Sequence, residues 1–131
     1  MLQLLKKYYL TISWIIVIIF LSFMPANNNQ ISRFSFPHAD KFAHFFMYFL
    51  LSFLLLRDMN KNRINLHLVH YMLLSTILVL FGLITELIQH FFITSRYGDI
   101  SDFIANAGGI IAGISFYFIV KKYIKRLKFN N

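Results

Sequence analysis

The chain contains no cysteine. A disulfide framework, a thiolate nucleophile and a cysteine-ligated metal are therefore all excluded. Acidic residues are almost as scarce, five Asp and Glu against 13 Lys and Arg, for a net charge of +8. Charged residues of both signs make up 14% of the 131 residues, where a soluble domain carries about a quarter. The two prolines, Pro25 and Pro37, fall in one segment with three consecutive Asn, which reads as a loop over 25–38. There is no HExxH, no GxSxG and no glycine-rich phosphate loop. Neither a metal nor a cofactor is expected.

What is present is hydrocarbon. Apolar residues form 58% of the chain and the mean hydropathy is +0.62. A water-soluble globule of this size has too little interior to hide that surface. The fold class expected is an all-α polytopic membrane protein, a single domain over 1–131 with a bundle of four transmembrane helices. The runs that predict them are about 8–24, 40–56, 68–93 and 102–120. Met1–Lys7 is a short amphipathic lead. The first run resembles a signal peptide in its flanking Lys6 and Lys7, but its core is long and bulky and no small-residue cleavage motif follows, so an uncleaved first helix is expected. Tyr8, Tyr9 and Trp14 suit membrane packing and interface anchoring. Residues 57–67 read as a polar, basic hinge, and Lys121–Lys128 as a basic tail.

The basic residues set the orientation. With the N-terminus inside, the inner segments hold ten cations (Lys6, Lys7, Arg57, Lys61, Arg63, Lys121, Lys122, Lys125, Arg126, Lys128) and the outer ones three (Arg33, Lys41, Arg96). The positive-inside rule then places both termini in the cytoplasm. The tail serves as a topology signal and an anchor to anionic membrane lipids, and nucleic acid is not an expected partner.

This topology gathers the scarce acids. Asp40, Glu86, Asp99 and Asp102, four of the five, fall in the outer turns of the second, third and fourth helices. Charged groups at membrane depth tend to pair, face the bundle interior or mark a functional site. Asp99, Asp102 and Asn106 recur at i, i+3 and i+7 and share one helix face. Asp40, His44 and Tyr48 do the same at i, i+4 and i+8. Glu86 sits inside an apolar run beside Gln89 and needs a partner, for which Arg96, Lys41 and His44 are the candidates. Structural roles account for part of this set: Asp40 and Asp99 suit helix caps, and the Asp40–His44 pair suits a buried hydrogen bond. Ala105, Gly109 and Gly113 form a small-residue stripe that lets helices approach closely, within the bundle or in an oligomer through Gly109 and Gly113.

Three segments resemble the VanZ-like family of small bacterial membrane proteins. They are DKFAHFFMY from Asp40 to Tyr48, TELIQ from Thr85 to Gln89, and RYGDISDFIANAGG from Arg96 to Gly109. The family pattern DKxxHFxxY, ExxQ and RxxDxxDxxxNxxG is present in order, and the resemblance covers Pro25 to about Gly113. It implies a place in the bacterial inner membrane and a shared polar site formed by Asp40, Lys41, His44, Tyr48, Glu86, Gln89, Arg96, Asp99, Asp102 and Asn106. The member that names the family is associated with resistance to glycopeptide antibiotics, teicoplanin among them. The resemblance supplies no reaction. Three functions are carried forward. One is a cell-envelope protein that handles or shields an outer-leaflet lipid or peptidoglycan-related ligand. Another is a membrane enzyme with His44 and Glu86 as acid–base pair, Asp40 orienting the imidazole and Arg96 holding an anion. The last is a scaffold without ligand.

Overall fold

In the computed structural model, which describes residues 2–24, 39–62, 66–92 and 99–129, every element is an α-helix. The order is α1 (Leu2–Lys7), α2 (Tyr9–Phe23), α3 (Ala39–Lys61), α4 (Leu68–Phe92) and α5 (Ile100–Phe129). Helices α3, α4 and α5 are each long and apolar enough to cross a membrane. α2 is a shorter apolar helix of 15 residues, about 22 Å at 1.5 Å per residue. The chain is thus an all-α membrane bundle of three long apolar helices and one short one.

The exterior carries the signature of a lipid-facing surface. Phe20, Phe42, Ile77, Ile104, Ile111 and Ile119 are all more than half exposed. In water each would cost roughly 25 cal/mol per Å² of apolar area left uncovered; hydrocarbon removes that cost. The buried apolar core is correspondingly small: Ile18, Met47, Tyr48, Leu51, Leu78 and Ile110, with Trp14 packed against it. Trp14 does more than anchor, because its indole N–H donates to the Met47 carbonyl at 2.9 Å.

The seam between α3 and α5 is the most extensive helix contact in the bundle. Two glycines make it close. A Cβ at Gly109 would fall onto the Phe45 carbonyl, and one at Gly113 onto the Phe49 carbonyl and Ser52 Oγ. Ser52 turns that proximity into a polar contact, with its hydroxyl 3.0 Å from the Phe49 carbonyl and 3.3 Å from that of Ile110. Phe49 and Phe53 then close on Phe116, each with ring centroids 5.6 Å apart.

Two segments differ from their sequence expectation. The hinge expected from Arg57 is helix: α3 continues to Lys61. The reason is Asp58, which is 1% exposed and accepts hydrogen bonds from Thr11 Oγ1 at 2.9 Å and Thr11 N at 3.3 Å. Thr11 N–H belongs to the first turn of α2, whose N-cap residue Tyr8 makes no side-chain cap. Asp58 therefore caps α2 from a neighbouring helix, at the end where the helix dipole favours an anion. Asn62 closes the same junction, donating to the Asp58 carbonyl at 2.7 Å and the Lys7 carbonyl at 3.2 Å. The basic tail is also helical: α5 runs 30 residues to Phe129, about 45 Å, well beyond the ~30 Å hydrocarbon thickness. Its cations lie at the C-terminal end, where they suit the dipole.

A polar cluster where three long helices meet

α3 and α5 begin, and α4 ends, at the same end of the bundle. The outermost layer there is Lys41 of α3 against the first turn of α5. Lys41 Nζ lies 2.9 Å from Asp99 Oδ2 and 3.3 Å from Asp102 Oδ1, and also donates to Ser101 Oγ. Asp99 caps α5, its Oδ1 accepting from Ser101 N at 3.0 Å. The Ser101 hydroxyl and N–H, and then the Lys41 ammonium, hold the Asp99 carboxyl well below the usual carboxylate range. A lowered folded value means that this contribution is present above the ordinary value of 3.8 and is lost as the pH falls below it. Asp99→Asn should therefore flatten the acid side of a detergent-solubilised unfolding curve followed against pH; an unchanged acid limb would refute the assignment.

One turn deeper lies a buried triangle of His44, Glu86 and Asn106. His44 Nδ1 is 3.2 Å from Asn106 Oδ1 and 3.4 Å from Glu86 Oε1, while Asn106 Nδ2 donates to Glu86 Oε1 at 3.1 Å. Both neighbours of Nδ1 are acceptors, so that nitrogen carries the proton. All three residues are at most 6% exposed. Glu86 Oε2 is buried and, among the described residues, has no hydrogen-bond partner. Deeper still, Thr85 Oγ1 donates to the Gly82 carbonyl at 2.8 Å, so the Tyr48 hydroxyl, 2.9 Å away, donates to Thr85. Gly82 makes room for this layer, since a Cβ there would meet Tyr48 Cε1 at 3.4 Å and Asn106 at 3.5 Å.

The structure thus brings together Asp40, Lys41, His44, Tyr48, Glu86, Asp99, Asp102 and Asn106. The partner of Glu86 is His44 with Asn106, whereas Lys41 pairs with Asp99 and Asp102. Gln89 points elsewhere: its Nε2 donates to the Ser22 carbonyl of α2 at 2.8 Å. Arg96 lies outside the described residues. Ser101 and Thr85 complete the network, and only Thr85 was marked by its place beside Glu86. Asp40, His44 and Asp102 each offer a ligand atom, all within 4.8 Å of one another. Two carboxylates and an imidazole suit a divalent cation or a ligand amine or hydroxyl. Lys41 already supplies one positive charge to Asp102.

A bundle of apolar helices keyed at one end by charged and amide side chains defines a polytopic membrane protein with a polar cluster where its long helices meet. The family profile VanZ/LLP1 matches residues 7–121, so the chain belongs to that family, and the match contains every residue of the cluster. Neither a curated protein nor a solved structure matches the chain.

Proposed function

We propose that this protein lies in the bacterial cytoplasmic membrane with both termini in the cytoplasm, and that its polar end engages an outer-leaflet lipid or peptidoglycan-related ligand of the cell envelope. The cation asymmetry of the sequence supports the orientation. The observation that carries the ligand reading is Glu86. Its carboxylate is buried on a helix long and apolar enough to cross a membrane, and among the described residues one oxygen has no partner, a costly arrangement for a scaffold. The acceptor-rich interior, with Asp40 and Asp102 close by, favours a ligand that brings donors: hydroxyl, amide or amine groups of a headgroup. Tolerance to glycopeptide antibiotics is the phenotype that family membership puts forward for testing.

Native mass spectrometry of the detergent-extracted protein tests this. The expected result is an envelope lipid or precursor held by the wild type and lost in Glu86→Gln at equal folded amount. Identical spectra from the two, with no change in envelope phenotype, would refute ligand handling at this end.

A second reading, an acid–base enzyme, is favoured by the buried His44–Glu86 contact. It requires turnover of an envelope lipid that His44→Ala abolishes while the protein stays folded.

A further inference from the structure

Thirteen residues along α3 from His44, about 20 Å away, the seam between α3 and α5 opens into a cavity of about 180 Å³. Its walls are Phe53, Arg57 and Asn60 of α3 and Tyr117, Lys121 and Ile124 of α5. Three observations bear on what it holds. The first is charge: among the described residues two cations line it, and no acidic residue does. The carboxylate of Asp58, next to Arg57 in the chain, is 1% exposed and directs Oδ2 to Thr11, with Oδ1 3.5 Å from Arg57 Nη1. Arginine has five N–H donors, so most of the Arg57 fork remains available. The second is an unanswered donor. Tyr117 is 4% exposed, yet among the described residues its buried hydroxyl has no hydrogen-bond partner. The Lys121 ammonium stands over the same ring, 5.7 Å from its centroid. The third is size. Sites for drug-sized ligands run to about 300–1,000 Å³. This cavity is smaller, with room for a headgroup phosphate and its glycerol while acyl chains lie on the exposed apolar faces outside.

From this we infer that the groove between α3 and α5 at the basic end binds the headgroup of an anionic phospholipid. Arg57 and Lys121 clasp the phosphate, Tyr117 donates to one of its oxygens, and Phe53 and Ile124 border the first methylenes of the chains. The site is separate from the polar cluster and does not rest on the role proposed for Glu86.

The test is thermal unfolding of the full chain in detergent, titrated with dioleoyl phosphatidylglycerol, dioleoyl phosphatidylcholine or inorganic phosphate. Phosphatidylglycerol is expected to raise the midpoint saturably, with phosphatidylcholine and phosphate giving little. In Arg57→Gln/Lys121→Gln the lipid concentration needed should rise roughly thirty-fold, from about 1 kcal/mol per cation. Tyr117→Phe, which removes only the hydroxyl, should raise it about five-fold. Lys122→Gln/Arg126→Gln removes the same charge outside the groove and should leave the titration unchanged. Equal weakening in both double variants would overturn the site in favour of diffuse attraction to the basic tail. An equal midpoint rise with inorganic phosphate would overturn the lipid as its occupant.

Discussion

Gly109→Ala is expected to loosen the bundle, whereas Gly108→Ala, one residue earlier, should be tolerated. The new methyl at 109 would fall onto the Phe45 carbonyl oxygen and come within 3.0 Å of Phe45 C and Phe49 N. All three are main-chain atoms of α3, so no rotamer change relieves the overlap; the helices must move apart. Overpacking of a tight core costs about 1–3 kcal/mol. Against this stands the gain of about 1 kcal/mol from replacing glycine inside a helix. The clash should win at 109, because separation there also loosens the Ser52 contacts and the Phe116 stack further along the seam. At 108 the nearest atoms are Phe45 ring carbons at 3.7 Å, an ordinary contact, and the helical gain should show. Gly113→Ala repeats the clash against Phe49 and should add to the effect. Detergent unfolding midpoints and folded yield decide it: if 109 and 108 behave alike, close α3–α5 packing is not what holds the bundle.

Asp58→Ala is expected to be the most damaging change at the basic end. It strips α2 of its cap and leaves the Thr11 amide and hydroxyl without an acceptor in a buried place. Hydrogen bonds to a charged group are worth about 1.5–3 kcal/mol, and an abandoned buried donor adds its desolvation penalty. Thr11→Val removes only the hydroxyl and should cost about 1 kcal/mol. The double variant should cost less than the sum, with a coupling of about 0.5–3 kcal/mol, because the two side chains share one bond. Strict additivity in that cycle, or an Asp58→Ala protein as stable as the wild type, would contradict the capping role.

The apolar runs and the polar outer turns were legible in the sequence because both are properties of a single helix: run length, and recurrence at three and four residues. Which side chains meet depends on how each helix is rotated about its axis, and spacing alone leaves that open. Glu86 and Gln89 are three residues apart and thus about 60° apart around α4. That offset is enough to send one to His44 and Asn106 and the other to Ser22 of α2. Lys41, a candidate partner for Glu86 on charge alone, is captured first by the acids that open α5. Asp58 was the least legible: its partners are a backbone amide and a threonine hydroxyl 47 residues away, and its polar neighbours disguise the end of a helix as a hinge.

The bonds made by α4 have a mechanical consequence. Of the three long helices it buries the smallest share of its apolar span, 17%. Yet Thr85 is tied to α3, Glu86 to α3 and α5, and Gln89 to α2. Apolar contact resists separation but permits sliding; a hydrogen bond fixes position and direction. Advancing α4 by a single residue would turn it 100° and break all of these ties together. Helix α4 is therefore a key cut for one lock position, with its register held by three adjacent teeth rather than by the area it covers.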